Sequence, residues 1–93
     1  MKLEFTKSAL NDVRRLRDFI AVKNPQAARM YSQSLLTSLQ NLVEQPFMGR
    51  TLDDELGIRE LIIGEYLARY RINGDKLTVI KIRHQKEAPD HFK

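Results

Sequence analysis

The chain has 93 residues, of which 42% are apolar and 30% charged, and its formal net charge is +4. This length supports one hydrophobic core, so we expect a single domain over residues 1–93. The lack of cysteine excludes disulfides and thiolate metal sites. No apolar run approaches the ~20 residues that span a bilayer, and the N-terminus has no signal-peptide core. We therefore expect a cytoplasmic protein without membrane contact.

The first half of the chain predicts a short strand and a helix. Residues 2–5 alternate in polarity as a strand does, and from about Ser8 the spacing becomes helical. One face of this helix carries the apolar residues Ala9, Val13, Leu16 and Ile20. The helix should end near Lys23, because a residue before proline leaves the α region. Asn24 followed by Pro25 is also a good start for a new helix.

A second helix is predicted from Pro25 to about Glu44. Its apolar stripe consists of Tyr31, Leu35, Leu39 and Leu42, widened by Ala28, Leu36 and Val43. Two amphipathic helices joined at one Asn-Pro form an antiparallel hairpin, which cannot bury both stripes by itself. We therefore expect a layer of strands to cover it.

The second half predicts three strands. Residues 46–50 suggest a turn, residues 51–57 an acidic loop, and residues 58–63 a strand. Asn73-Gly74 separates two further strand-like runs, which is the strongest short-range signal for a β-hairpin. The predicted fold is therefore α+β in the order β-α-α-β-β-β, with an antiparallel sheet packed on the N-terminal helical hairpin. Residues 85–93 are expected to be irregular.

Positive charge is concentrated on this predicted β-hairpin. Residues 66–86 contain one acid, Asp75, and the cations Arg69, Arg71, Lys76, Lys81, Arg83 and Lys86. Such a surface suits an anionic partner. With a two-residue loop at Asn73-Gly74, Tyr70 would lie opposite Leu77, and Arg69 and His84 would share the sheet face away from the helices. A longer loop would slip this register by one residue and swap the faces of the second strand.

His84 is the best candidate for chemistry. Histidine can act as a general base or acid near pH 7, and arginines beside it could hold a phosphate. That combination is a minimal set for a ribonuclease without a metal. A histidine that merely hydrogen-bonds to the tail at the end of a strand is the simpler interpretation. His84 and His91 lack the companions that a metal site needs, and the acids at 53–55 lack the spacing of a calcium loop. We expect neither a metal nor a cofactor.

Five segments together carry a family resemblance. They are residues 24–28 (NPQAA), 42–50 (LVEQPFMGR), 57–61 (GIREL), 70–72 (YRI) and 82–85 (IRHQ). In this order and spacing the chain resembles the RelE/ParE superfamily of type II toxin–antitoxin toxins, and it is nearer to the ParE branch. The resemblance covers nearly the whole chain and implies the RelE/ParE toxin fold. It also implies neutralisation by a cognate antitoxin, which we expect to be acidic and partly disordered. Such gene pairs commonly stabilise plasmids or chromosomal regions.

The two branches of the superfamily imply different targets. ParE-like toxins poison DNA gyrase, and the residues we expect to bind the target are Arg69, Arg71, Arg83, His84 and Lys86. RelE-like toxins are ribosome-dependent endonucleases that cut mRNA without a metal. For that activity the candidate catalytic residues are Arg59, Arg69, Arg83 and His84. A toxin fold that has lost its toxicity and persists as a binding module is a third possibility.

One departure from the family pattern favours the gyrase branch. Nuclease-type members and many ParE-like members carry arginine three residues before the tyrosine that corresponds to Tyr70, whereas this chain has Leu67. Arg69 lies two residues further along, which displaces the side chain by ~6–7 Å along a strand. Catalysis seldom tolerates such a displacement. Gyrase inhibition is therefore the expected activity, and mRNA cleavage is the alternative.

Overall fold

A computed structural model describes residues 1–85 as two helices packed on one face of a five-stranded sheet. The elements are β1 (Lys2–Phe5), α1 (Lys7–Lys23), α2 (Pro25–Glu44), β2 (Arg50–Asp53), β3 (Ile58–Ile63), β4 (Tyr66–Asn73) and β5 (Lys76–His84). The strand order in the sheet is β1-β5-β4-β3-β2. The α+β class and the helical hairpin are confirmed. The segment from residue 86 onward, including the irregular tail predicted there, lies outside the described residues. Within residues 1–85, neither helix has the length and apolar character needed to cross a membrane.

Two details of the sheet differ from the prediction. The short strand β2 lies where the sequence predicts a turn and loop, and it pairs with β3 through a bulge between Thr51 and Asp53. Because β2 is an exposed edge strand, it has no buried alternation by which the sequence would reveal it. In addition, β1 runs parallel to β5, with Leu3 opposite Leu77, so the sheet is mixed. The helical hairpin between them belongs to the long crossover that parallel strands require.

The helix boundaries follow from two capping residues. The Thr6 hydroxyl accepts a hydrogen bond from the Ala9 amide at 3.0 Å and starts α1. Asn24 serves both helices, as predicted. Its backbone N–H donates to the Ile20 carbonyl at 2.8 Å, which ends α1. Its side-chain oxygen accepts from the backbone amides of residues 26 and 27 at 3.1 Å each and thereby caps α2.

The core lies between the helical hairpin and the sheet. Its largest fully buried side chains are Tyr70, Leu39, Leu42, Leu77, Ile82 and Val79. The predicted apolar stripes are confirmed for most residues, although Val13 and Ile20 are only partly buried. Leu36 is exposed, so its predicted place in the stripe is wrong. It is rotated by about 100° from Leu35, and Leu35 and Leu39 already fill the space that faces the core.

The turn between β4 and β5 contains Gly74-Asp75 and not Asn73-Gly74. Asn73 pairs with Lys76, and Tyr70 pairs with Val79. The expected pairing of Tyr70 with Leu77 is therefore wrong by two residues. Gly74 has φ of 63°, as the first central position of a type II′ turn requires. Because side chains alternate with a period of two, this shift leaves the predicted faces of the residues next to the turn unchanged.

A β-bulge at Ile80 does change the faces farther along β5. Val79 pairs with Tyr70, but Lys81 already pairs with Arg69, so Ile80 is an extra residue. Beyond it, Ile82 lies opposite Ala68 on the side of the helices and is fully buried. His84 follows on the same side, opposite Tyr66. The prediction that His84 shares a face with Arg69 is therefore wrong. Lys81 and Arg83 take that face instead.

Side chains from the start of α1 hold the bulged part of β5. β1 pairs with β5 only as far as Val79, so the backbone groups beyond that point need other partners. The Thr6 hydroxyl donates to the Ile80 carbonyl at 2.7 Å. Asp12, only 7% exposed, accepts a hydrogen bond from the Ile82 amide at 3.0 Å. Its other carboxylate oxygen lies 3.4 Å from a guanidinium nitrogen of Arg15. The helix thus continues the edge contacts that β1 begins.

Replacing Asp12 tests this arrangement. Asp12→Ala leaves the buried Ile82 amide without an acceptor, so the free energy of unfolding should fall by about 1–3 kcal/mol. Asp12→Asn retains an acceptor oxygen and should lower the free energy of unfolding clearly less. Urea denaturation measures both, and amide exchange at Ile82 should accelerate most in Asp12→Ala. Equal stability of the Ala and Asn variants would contradict the role assigned to this hydrogen bond.

Candidate functional site

The predicted site residues divide between the two faces of the sheet. We call the face turned away from α1 and α2 the outer face. Arg69, Lys81 and Arg83 lie on it, because Arg69 pairs with Lys81, and Arg83 with Leu67. Arg59 and His84 lie on the helix side, where their cross-strand partners are Tyr70 and Tyr66 respectively. The structure therefore does not bring the four candidate catalytic residues together. Lys86 lies outside the described residues.

Arg59 holds a loop in place. Its guanidinium donates to the carbonyls of Phe47 and Gly49 at 3.1 and 2.7 Å, and it lies 5.0 Å from the centre of the Phe47 ring. The same loop, residues 46–49, is held by buried Tyr70, whose hydroxyl donates to the Pro46 carbonyl at 2.7 Å and accepts from the Gly49 amide at 3.0 Å. Arg59 is thus a structural residue in this chain.

Gly49 is required by this close approach. A Cβ atom at Gly49 would lie 2.5 Å from the Tyr70 hydroxyl oxygen and 2.9 Å from the Glu60 carbonyl oxygen, too close for any side chain. Burial raises the pKa of the Tyr70 phenol above its ordinary value. Tyr70 therefore stays protonated at neutral pH, as its hydrogen bond to the Pro46 carbonyl requires.

Arg71 also makes a structural contact. Its Nε donates to the Leu56 carbonyl at 2.8 Å, and the next residue, Ile72, donates its amide to the Gly57 carbonyl at 2.9 Å. Together they fasten the acidic loop to β4. Within that loop the Asp53 carboxylate accepts from the Leu56 amide at 3.0 Å, which is the usual behaviour of a turn aspartate. Residues 1–85 contain no cluster of three or more side chains able to hold a metal ion.

The outer face has a basic rim and an apolar centre. Leu67 is only 9% exposed although it lies on this face, directly opposite Arg83. It lines a cleft of about 620 Å³ together with Met48, Ile62 and Arg83. Glu60 also lines this cleft, and its carboxylate lies 3.1 Å from Arg50 and 3.9 Å from Arg69.

His84 faces a different surface. Its Nε2 lies 3.4 Å from a carboxylate oxygen of Glu65, and its ring meets the Tyr66 ring edge-on at 5.2 Å. It lines a cavity of about 540 Å³ between α1 and the end of the sheet, together with Arg15 and Phe19. His84 is therefore enclosed by helix α1 and an aromatic ring, and Arg69 lies across the sheet from it.

A second cavity, of about 600 Å³, adjoins the first and shares Ile20, Glu65 and Tyr66 with it. We call the two cavities together the helix-side groove. Large apolar side chains are exposed along it, such as Phe19 at 56% and Met30 at 62%. Exposed apolar side chains grouped in this way are typical of an interaction site.

Tyr31 lies at the base of this groove, with its ring 4.7 Å from that of Tyr66. Its hydroxyl is buried and has no hydrogen-bond partner within the described part of the chain. Burial raises the pKa of the Tyr31 phenol far above its ordinary value.

Comparison with known proteins identifies the family. Residues 3–89 match the family model of the ParE toxin of the type II toxin–antitoxin system parDE. The chain belongs to the ParE toxin family. It is also 33% identical over 81 residues to Toxin RelE2 of Caulobacter vibrioides, an alignment that covers 86% of this chain and 90% of that toxin. The predicted resemblance to the RelE/ParE superfamily is confirmed.

Solved structures of both branches share the fold of this ParE family member. The chromosomal ParDE system of P. aeruginosa matches with a TM-score of 0.76 at 23% identity, over 90% of this chain and 95% of that chain. The RelBE2 toxin–antitoxin complex of Mycobacterium tuberculosis matches with a TM-score of 0.63 at 22% identity, over 89% and 95% of the two chains. These likenesses support the fold and do not distinguish gyrase from the ribosome as the target.

Several residues that shape these two surfaces of the toxin are not evident from its sequence. Asp12 adjoins the apolar stripe of α1 but carries a charge, so the pattern does not mark it as buried. Ile63 lines the groove only because the helix pair and the end of β3 meet there. A signal was available for Phe19 and Met30, because both are large apolar residues outside the core stripes of their helices.

A pair of tyrosine substitutions tests the two hydroxyl environments. Tyr70→Phe removes two hydrogen bonds of the 46–49 loop and should lower the free energy of unfolding by about 1–3 kcal/mol. Tyr31→Phe removes a hydroxyl that has no partner among residues 1–85, so stability at pH 7 should stay the same or rise. Urea denaturation of both variants measures these changes in the free energy of unfolding. A larger loss for Tyr31→Phe than for Tyr70→Phe would contradict these assignments.

The pH dependence of stability supplies a further test of Tyr31. Its pKa is raised on folding above the ordinary 10.0, so above pH 10 the unfolded chain loses a proton that the folded chain retains. The contribution of protonated Tyr31 to the free energy of unfolding is therefore fully present below pH 10. It is lost as the pH rises from 10 through the raised pKa of the folded state. Tyr31→Phe should reduce this alkaline decline, as measured by urea denaturation at several pH values. An unchanged decline would show that Tyr31 is not its source.

Proposed function

We propose that this toxin inhibits DNA gyrase and does not cut mRNA. The observation that carries this proposal is the division of the candidate nuclease residues: the bulge at Ile80 places His84 on the helix side and leaves Arg69 and Arg83 on the outer face. A base and a phosphate-binding arginine must meet at one reacting group, which opposite faces of a sheet do not permit. Arg59 is engaged with the 46–49 loop. The match to the ParE toxin family supports the same choice.

The surroundings of Leu67 agree with this proposal. Position 67 lies on the outer face directly opposite Arg83, where an arginine would add a second cation to the same cleft. The chain has a buried leucine there instead, beside Ile62. An apolar centre with a charged rim is the anatomy of a protein–protein interface. We therefore assign the gyrase contact to the outer face, with Arg69, Arg71 and Arg83 at its rim. His84 belongs to the other surface.

A supercoiling assay tests the target. Purified gyrase should lose supercoiling activity at micromolar toxin and accumulate complexes with cleaved DNA. Arg69→Glu should weaken the inhibition at least tenfold, because it places an acid in the rim of the outer face. Arg29→Glu makes the same change of charge on the exposed surface of α2 and should leave the inhibition intact. Unaffected supercoiling at micromolar toxin, with no trapped cleavage complex, would reject the proposal.

Primer extension on messages from induced cells tests the alternative. We expect intact messages, because His84 and the arginines lie on opposite faces. Cuts positioned on codons that disappear in His84→Ala would establish the ribosome-dependent nuclease instead. Plating cells after induction without an antitoxin serves as the control that the protein is toxic.

For the antitoxin we propose that an acidic, partly disordered segment covers the helix-side groove. The exposed apolar side chains of Phe19 and Met30 offer the contact that an amphipathic helix needs. Arg15 lines the same groove, and the whole chain has a net charge of +4, so an acidic segment is favoured. The complex would form in the cytoplasm, and the gene pair would stabilise the replicon that carries it.

The binding partner encoded by the adjoining reading frame provides the test. We expect nanomolar or tighter binding and an association rate that falls between low and physiological salt. Phe19→Asp should weaken the complex at least tenfold. Val22→Asp makes the same change on the same helix, at a residue that is 88% exposed and does not line the groove, and should have little effect. Equal losses for both variants would remove the groove from the interface, and a rate independent of salt would remove the electrostatic contribution.

A further inference from the structure

The outer face of the sheet carries many cations. By strand register the following cations lie on it: Lys2, Arg50, Arg69, Arg71, Lys76, Lys81 and Arg83. Glu4 and Glu60 are acids on the same face, and each lies within 4 Å of two of these cations. Both described helices pack on the opposite side of the sheet.

The register places cations directly opposite one another on this face. Arg69 pairs with Lys81 across β4 and β5, and Lys2 pairs with Lys76 across β1 and β5. Like charges at directly opposed positions repel and destabilise a sheet. Glu4 compensates the Lys2–Lys76 pair from within the protein, and Glu60 lies 3.9 Å from Arg69. A polyanion bound across Arg69 and Lys81 would relieve the repulsion that remains there. The charge pattern therefore favours a partner with many negative charges in a row over a small anion.

The spacing of these cations suits a phosphate backbone. Alternate residues of one strand, such as Arg69 and Arg71 or Lys81 and Arg83, are separated by ~6.5–7 Å, and neighbouring strands by ~4.8 Å. Successive phosphates of one DNA strand rise by ~3.4 Å along the helix axis and also turn around it, so they lie farther apart than this rise. The step between alternate residues of a β-strand therefore spans about one phosphate interval. Flexible arginine and lysine side chains can adjust the remaining distance.

The position of the aromatic residues indicates which kind of nucleic acid fits. Proteins that bind single strands stack bases on aromatic side chains. Here Phe5, Tyr66 and Tyr70 all lie on the helix side of their strands. The outer face of the five strands described has no aromatic residue. It offers contacts to phosphates and none for stacking an unpaired base.

We propose that the outer face binds the phosphate backbone of duplex DNA without sequence preference. The toxin would then reach gyrase associated with DNA and exchange that DNA for gyrase on the same face. The inference goes beyond the proposed target, because it concerns the binding of DNA by the isolated toxin and holds whether or not gyrase is inhibited.

Fluorescence anisotropy with a short labelled duplex of mixed sequence tests this binding on the full chain. Affinity should fall steeply as salt rises, because each phosphate contact releases counterions. The double variant R69Q/K81Q should weaken binding at least tenfold at low salt and reduce the slope of log K against log salt by about 2, at ~0.9 per contact. The control R14Q/R29Q removes the same net charge from exposed positions of the helices and should retain the wild-type affinity and slope.

The outcomes separate this proposal from simpler explanations. Equal weakening by R69Q/K81Q and R14Q/R29Q would mean that net charge alone attracts the DNA, and would overturn the assignment to the outer face. Tighter binding to single-stranded DNA or RNA of the same length would overturn the assignment to duplex. Urea denaturation checks that R69Q/K81Q is folded. If the double variant does not fold, Lys81→Gln alone replaces it and should show about half the change in slope. The anisotropy experiment contains no gyrase, so its result does not depend on whether the toxin inhibits supercoiling.

Discussion

The structure depends on the hydrogen bonds by which the start of α1 holds the bulged half of β5. Thr6 and Asp12 reach the backbone at Ile80 and Ile82 and replace the strand neighbour that β1 no longer provides. This contact docks the helical hairpin on the sheet and fixes the bulge at the same time. The bulge in turn decides which side chains face the helices and which face the open side. Thr6 and Asp12 thus hold the part of β5 that separates the two surfaces.

The two surfaces that result have different characters. The helix-side groove is mainly apolar, and His84 is a part of it. The outer face is basic and surrounds a small apolar cleft at Leu67. Since the sheet lies between them, one partner can cover the groove while another contacts the outer face.

Much of the fold follows from local signals in the sequence. Asn24-Pro25 sets both helix boundaries, and the apolar stripes predict the core because burial repeats with the helical period. The face of the sheet on which His84 lies does not follow from the sequence. A bulge depends on contacts from Asp12, 70 residues away, and strand alternation cannot reveal an extra residue such as Ile80. The structural roles of Arg59 and Arg71 are likewise hidden, because their acceptors are backbone carbonyls, which every sequence contains.

The parallel pairing of β1 with β5 has a consequence for the order in which the chain folds. The helical hairpin and the β3–β4–β5 meander are built from local contacts, which form early, whereas the bond from Thr6 to Ile80 closes 74 residues of chain. During synthesis β1 must wait, unpaired, until β5 has left the ribosome. The two surfaces that depend on β5 are therefore completed only after that strand has emerged.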